Sequence, residues 1–236
     1  MGYSSICNSA LDRKLSKQRK GYSSPVPWGR ISGMRTLLTA LTCLLLFTTP
    51  VVADFDSGLE AWARGDYETA FKEMQPLAKQ GDAKAQYNLG ILYSNGLYVR
   101  QNHYQAFSWY RKAAEQGLAG AQYNIGAMYD AGIGVPENDD EAVKWYRKAA
   151  EQGDSFAQTN LGVMYANGYS VPKDYLKAYM WWSLAKEGGN KQAAEYLEHV
   201  GEQMTSAQIN EAKNRAKEEA AWILSVKKMW LEERGH

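Results

Sequence analysis

The sequence predicts an all-α fold, an α-solenoid built from stacked pairs of helices. Three observations predict it. Three consecutive segments of equal length align without a gap, apolar residues recur within each segment at helical spacing, and glycines recur where helices should end. The aligned segments are residues 83–118, 119–154 and 155–190. One helix pair cannot bury both of its apolar faces, whereas stacked pairs can, so the repetition itself favours a solenoid.

The first helix of each segment is predicted by an apolar stripe that contains a glycine. In the first aligned segment, Ala85, Leu89 and Leu92 share one helical face, and Gly90 lies on the same face. A glycine inside a helix costs roughly 1 kcal/mol relative to alanine. Because this glycine returns in all three segments, we expect it to permit the close approach of a neighbouring helix.

The second helix of each segment is predicted by a further stripe and by a glycine at its end. Ala106, Trp109, Tyr110 and Ala113 form the stripe in the first segment and are interpreted as core residues. The glycines expected to end helices are Gly81, Gly117, Gly153 and Gly189. The residues that can cap the following helices are Asp82, Asp154 and Asn190. Leu118 stands at the remaining junction, which we expect to lack a side-chain cap.

Two runs within each segment resemble a known repeat. One reads Ala-x-x-x-Leu/Ile-Gly-x-x-Tyr-x-x-Gly from Ala85, and the other reads Ala-x-x-Trp-Tyr-x-Lys-Ala-Ala-x-x-Gly from Ala106. In these runs the chain resembles the Sel-one-like repeat family, a relative of the tetratricopeptide repeat with a longer loop between its helices. The resemblance covers residues 83–190. It implies a right-handed α-solenoid of antiparallel helix pairs that binds proteins or peptides.

The resemblance does not imply catalysis in this chain. Some members of the family carry a cysteine pair that staples each repeat, and β-lactamase activity has been attributed to them. Both cysteines of this chain, Cys7 and Cys43, precede residue 54, so the repeats contain none. No zinc, phosphate-binding or nucleophile motif is present either. We therefore predict no enzyme activity, no catalytic residue, no metal and no cofactor.

The segments that flank the repeats are assigned different roles. Residues 54–82 resemble a shorter, tetratricopeptide-like first repeat. Residues 191–236 predict capping helices, because Thr205 and Gln208 form a capping box and the following residues are apolar on one face and polar on the other. Residues 1–33 show no helical or strand period and are expected to be disordered, or to be upstream sequence that is not translated.

Residues 34–53 predict export from the cytoplasm. An uncharged, leucine-rich run follows Arg35 and ends in Val-Val-Ala, a pattern typical of a signal-peptidase site. With translation from Met34 this segment is a signal peptide. With translation from Met1 it is alternatively a membrane anchor, since its length is at the lower limit of the roughly 17–25 residues that span a bilayer. The expected location is periplasmic or secreted, without stable membrane insertion after cleavage.

The charge distribution and an acidic run bear on the class of partner. The first 53 residues carry seven of the 27 basic and one of the 26 acidic side chains, so the remainder is net acidic and a nucleic-acid partner is not expected. The acidic run at Glu137, Asp139, Asp140 and Glu141 is interpreted as a solvated loop and the first turn of a helix, where the helix dipole favours acidic residues, rather than as a calcium site.

A candidate partner-binding surface lies on the first helices. Asparagine is a mediocre helix former, yet it returns at one position in all three repeats, and its amide can both donate and accept hydrogen bonds with a peptide. In tetratricopeptide proteins the first helices line a concave groove, which the resemblance therefore implies here. The predicted residues of this concave face are Asn88, Asn124, Asn160, Tyr87, Tyr123, Thr159, Lys84 and Asp130. The alternative is that the asparagines tie neighbouring repeats together.

These observations lead to a hypothesis of function with two alternatives. The leading hypothesis is a monomeric exported scaffold that binds a protein or peptide through its concave surface, in the cell envelope or outside the cell. The first alternative is an envelope hydrolase or glycan-binding protein acting on cell-wall or β-lactam substrates. The second is a membrane-anchored adaptor that faces the periplasm.

Overall fold

A computed structural model describes residues 53–234 of the chain. Within that range it contains ten helices and no strands. The helices are α1 Phe55–Ala63, α2 Tyr67–Lys79, α3 Ala83–Asn95, α4 His103–Glu115, α5 Ala119–Asp130, α6 Asp139–Ala150, α7 Ser155–Asn167, α8 Tyr175–Glu187, α9 Lys191–Gly201 and α10 Ser206–Arg234. Helices that follow one another from α1 to α9 are in contact. The predicted all-α solenoid of helix pairs is confirmed. The predictions for residues 1–33 and for the signal peptide at 34–53 lie outside the described residues, Ala53 excepted.

The second helices end in the glycine motif that the sequence predicts. After α4, Gly117 has a φ of +91°, its N–H donates to the carbonyl of Ala114 over 3.0 Å, and the N–H of Leu118 donates to the carbonyl of Ala113 over 3.2 Å. This is the Schellman arrangement, which requires a left-handed residue. The same pair of bonds follows α2, α6 and α8 at Gly81, Gly153 and Gly189.

Side-chain caps begin the helices that follow these turns. Asp82 accepts a hydrogen bond from the N–H of Ala85 over 2.7 Å, and Asp154 and Asn190 cap α7 and α9 in the same way. Leu118 makes no side-chain cap, so the predicted gap at that junction is confirmed. Each cap satisfies a backbone donor that the first turn of a helix leaves without a partner.

One side chain of the second helix lies directly over the glycine of the first helix. A Cβ atom added to Gly126 would lie 2.7 Å from the Tyr146 ring, closer than real contacts allow. The equivalent contacts in the other pairs are Met74 over Gly58, Tyr110 over Gly90 and Trp182 over Gly162. The predicted close approach is confirmed, and the approaching helix is the partner within the same repeat.

Two of the recurring tryptophans, Trp109 and Trp145, pack against the core but are only partly buried. Tyr110 is only 5% exposed, whereas the neighbouring Trp109 is half-buried and has the Lys112 ammonium 4.2 Å from its ring centroid. Trp145 and Lys148 repeat this arrangement. The buried ring is the residue after the tryptophan because that position faces the glycine. The tryptophans instead lie at the edge, where a cation can cover the ring.

Buried glutamines, which were not predicted from the sequence, connect each repeat to the one before it. Gln122, which is 5% exposed, donates to the carbonyl of Ala114 at the end of α4 over 3.1 Å. Its side-chain oxygen accepts a bond of 2.7 Å from Gln152. Gln86 and Gln158 make the corresponding bonds to Ala78 and Ala150. The Ala114 carbonyl also accepts from the Gly117 N–H, so the glutamine adds a second donor, from the next repeat, at this helix end.

Replacing Gln122 by leucine is expected to lower the free energy of unfolding by about 1–2 kcal/mol, because the Ala114 carbonyl loses one of its two donors and the Gln152 amide loses its acceptor. Urea unfolding followed by circular dichroism measures the change. The control is the same substitution at the exposed Gln203, for which we expect almost no effect. Equal effects at the two positions would show that the buried bond contributes nothing.

The C-terminal helix begins with the predicted capping box. The N–H of Thr205 donates to the Gln208 side chain over 2.8 Å, and the N–H of Gln208 donates to the Thr205 hydroxyl over 3.2 Å. The inner face of α10 buries Ala212, Ala216 and Ile223, while its other side chains are mostly exposed. Because α10 packs on α8, it covers the apolar end of the repeats.

Candidate functional site

An open groove lies between α1, α3 and the start of α5. Its volume is about 340 Å³. The residues that line it are Phe55 and Leu59 from α1, Lys84, Tyr87 and Asn88 from α3, and Leu118 and Gly120 at the start of α5. We call it the first-helix groove. It brings together three of the predicted partner-binding residues: Lys84, Tyr87 and Asn88.

The groove is open because Gly120 has no side chain. The residue aligned with Gly120 in the next repeat is Phe156, whose ring centroid lies 5.9 Å from that of Tyr123. Tyr123 is in turn aligned with Tyr87 of the groove. Phenylalanine therefore covers this position between α5 and α7, whereas glycine leaves the corresponding position between α3 and α5 uncovered. A Cβ atom on Gly120 would lie 3.3 Å from the Tyr87 hydroxyl.

The lining of the groove combines apolar walls with two polar groups. Leu59 is 41% exposed although it is a large apolar residue. Lys84 is exposed and makes no ion pair with any described residue, and Asn88 is half-buried beside it. An apolar cleft with a few polar groups is the usual form of a binding site. This one can hold an apolar side chain while the amide and the ammonium meet a peptide backbone or an acidic group.

The structure assigns a different role to Asn160 and Asp130. The Asn160 side chain donates to the Tyr146 hydroxyl over 2.9 Å, and that hydroxyl donates to Asp130 over 3.0 Å. Burial raises the pKa of Asp130, while the bond from Tyr146 opposes that rise. Since Tyr146 belongs to α6 and Asn160 to α7, this network joins two repeats. At Asn160 the asparagine thus ties neighbouring repeats together, which is the alternative role considered for these residues.

Asn88 differs from Asn160 in the second helix that precedes it. The residue equivalent to Tyr146 in that helix is Met74. Methionine has no hydroxyl, so the bond that holds Asn160 is unavailable at Asn88, which lines the groove instead. Asn124 is half-buried at the equivalent position in the repeat between them. Identical residues at one repeat position therefore meet different partners.

Thr159 is a correction to the predicted surface. It is only 2% exposed, and its hydroxyl donates to the carbonyl of Ser155 over 2.8 Å. The Trp182 indole donates to the Thr159 carbonyl over 2.9 Å. Trp182 stands here where the other repeats have Tyr110 and Tyr146, and Thr159 stands where they have Tyr87 and Tyr123. Thr159 is therefore inaccessible to a partner.

Residues 53–234 also bear on metal binding and on membrane insertion. No group of three or more His, Cys, Asp or Glu side chains in that range could hold a metal ion. Asp139, Asp140 and Glu141 form the acidic first turn of α6, as interpreted from the sequence. No described helix is both long enough and apolar enough to cross a membrane.

Comparison with a family model decides what the repeats are. The Sel1 repeat model matches residues 83–118, 119–154 and 155–190. The chain carries three Sel1 repeats. This is the family expected from the aligned runs, and the Sel1 helix pairs are those numbered α3 to α8.

Two solved Sel1 structures are similar to the chain. A Sel1 repeat protein from Oxalobacter formigenes is 39% identical over 61% of this chain and 59% of its own length, with a TM-score of 0.59. A protective antigen of uropathogenic Escherichia coli, described as displaying an SLR fold, is 33% identical over 68% of this chain and 36% of its own length, with a TM-score of 0.61. The chain thus spans less than two thirds of either relative. No curated protein sequence matches it significantly.

Proposed function

We propose that the chain is an exported Sel1 scaffold that binds a protein or peptide partner through the concave surface formed by its first helices. The first-helix groove is the observation that carries this proposal. Sel1 repeats generally mediate protein–protein interaction. The groove adds a position on this chain where exposed apolar, amide and ammonium groups converge.

The shape of the groove indicates the form of the partner. Between α1 and α5 there is room for a side chain from the partner, and Leu59 and Phe55 supply apolar contact area. Asn88 can pair with a backbone amide whatever the partner's sequence, and Lys84 favours an acidic residue next to the anchor. The expected partner segment is therefore an extended peptide with an apolar anchor residue.

Export rests on separate support. Residues 34–53 have the composition of a signal peptide, and the absence of cysteine after residue 53 makes the repeats compatible with an oxidising compartment.

Filling the groove tests the proposal. Gly120→Phe places at α5 the side chain that Phe156 provides at α7, so the fold already contains this arrangement. We expect the variant to melt no lower than the wild type and to lose its partner in affinity co-purification from the native host. The matched control is Glu198→Phe, which adds an exposed phenylalanine on α9, away from the groove.

The outcomes separate the hypotheses. Loss of a discrete partner from Gly120→Phe but not from Glu198→Phe supports the groove. A partner that both folded variants retain contradicts it. Recovery of no partner, together with turnover of a cell-wall or β-lactam substrate by the purified chain, favours the hydrolase alternative.

A further inference from the structure

A second groove lies at the other end of the solenoid, where the stacking departs from the repeat. Both α9 and α10 pack on α8. Residues from all three helices line the groove that remains between them, and its volume is about 400 Å³. Its floor contains Tyr179 and Ala216, which are buried, and Leu197, which is half-buried. We call it the C-terminal groove.

The rim of this groove is basic although residues 54–236 are net acidic. Lys186, Lys213 and Lys217 line it together with a single acid, Glu187. All three lysines are exposed. The groove therefore reverses the prevailing sign of charge on this part of the chain.

These lysines also lack the partners that most other described lysines have. Ion pairs hold Lys72, Lys144, Lys177 and Lys228. Aromatic rings lie beneath Lys112, Lys148 and Lys173. The remaining lysines whose side chains are described have neither kind of partner. Lys186, Lys213 and Lys217 line the C-terminal groove, and the others are Lys79, Lys84 and Lys191. Unpaired ammonium groups beside an apolar floor attract a partner that is both acidic and apolar.

We propose that the C-terminal groove binds an acidic peptide segment that inserts an apolar side chain between α9 and α10. The ammonium groups of the rim pair with carboxylates on either side of that residue, and Leu197 and Tyr179 contact the residue itself. This surface lies on α8 to α10 and is separate from the first-helix groove on α1, α3 and α5. The inference does not depend on the function proposed above.

Fluorescence anisotropy of the full chain with a fluorescein-labelled peptide tests this proposal. The probe is a short peptide in which glutamates flank a leucine, and its control replaces the glutamates by glutamines. The groove variant is Lys213→Gln with Lys217→Gln. The matched variant is Lys79→Gln with Lys191→Gln, which removes the same charge from exposed lysines that line neither groove.

We expect the acidic peptide to bind the wild type and the matched variant equally, and to bind the groove variant about tenfold more weakly. Added salt should weaken binding to the wild type, since exposed charges are screened. Thermal melting should show that both variants fold like the wild type. The proposal is overturned if the acidic peptide does not bind, if the glutamine peptide binds equally well, or if both variants lose affinity alike. Binding to anionic phospholipid vesicles in place of the peptide also overturns it.

Discussion

Replacing Tyr146 by alanine is expected to lower the free energy of unfolding by about 3–5 kcal/mol, the range measured for removing a large buried ring. Tyr146 is fully buried, and its ring lies over Gly126. Removing the ring leaves a cavity between α5 and α6 and takes away the hydroxyl that joins Asn160 to Asp130. The loss therefore acts within one repeat and between two repeats at once.

Tyr146→Phe separates these two contributions. It keeps the ring over Gly126 and removes only the hydroxyl, so we expect a loss of about 1 kcal/mol. Urea denaturation of the two variants and the wild type gives both values on one scale. If alanine were no worse than phenylalanine at this position, the ring-over-glycine contact would not be a main source of stability.

Gly126→Ala is expected to destabilise the chain by about 3 kcal/mol, which is the upper part of the range for overpacking. Alanine normally stabilises a helix relative to glycine. Here the new methyl group would lie 2.7 Å from the Tyr146 ring, which is buried and fixed by two hydrogen bonds and so cannot move aside. The steric cost should therefore exceed the helical gain.

Gly120→Ala is the control within the same helix. Its methyl group would meet only the outer end of Tyr87, at 3.3 Å from the hydroxyl, and that end can shift into the open groove. We expect this variant to be as stable as the wild type or more stable by up to about 1 kcal/mol. Thermal and urea unfolding should show a clear loss of stability for Gly126→Ala and none for Gly120→Ala. Equal effects would mean that the ring does not decide the need for Gly126.

The fold could be predicted because its determinants are local and repeated. Gly117 ends a helix through its own backbone conformation, and Ala85 and Leu89 reveal a buried face by their spacing alone. Each of these signals occurs in every repeat, so the three copies support one another. The need for a glycine at position 90 could also be inferred. The sequence could not show whether Tyr110 or its neighbour Trp109 is the side chain that lies over it.

The candidate site could be predicted only in part because it depends on pairs of residues from different repeats. Asn88 and Asn160 occupy the same repeat position, but Tyr146 bonds to Asn160 whereas the equivalent residue one repeat earlier, Met74, has no hydroxyl; only Asn88 lines the groove. The groove itself arises because Gly120 replaces the aromatic side chain found at Phe156. Aligning the repeats shows these differences between residues. Whether they leave a groove open becomes clear only from the position of the neighbouring helix.

The glutamine contacts between repeats were missed for a related reason. Glutamine is a good helix former that is mostly exposed in proteins, so Gln122 reads as an ordinary surface residue. Its recurrence with Gln86 and Gln158 was the available signal. Its burial becomes apparent only when the preceding second helix is in place, because the Gln122 amide donates to the Ala114 carbonyl at the end of that helix.

Site-specific photo-crosslinking in the native host tests most directly whether the first-helix groove binds a partner. A benzophenone amino acid would replace Leu59 in the groove and, as the comparison, Glu198 on α9. We predict a discrete cross-linked protein from position 59 that disappears when Gly120→Phe is added, and none from position 198. A cross-link at position 59 that persists in the filled groove, or one that forms only at position 198, would contradict binding at this site.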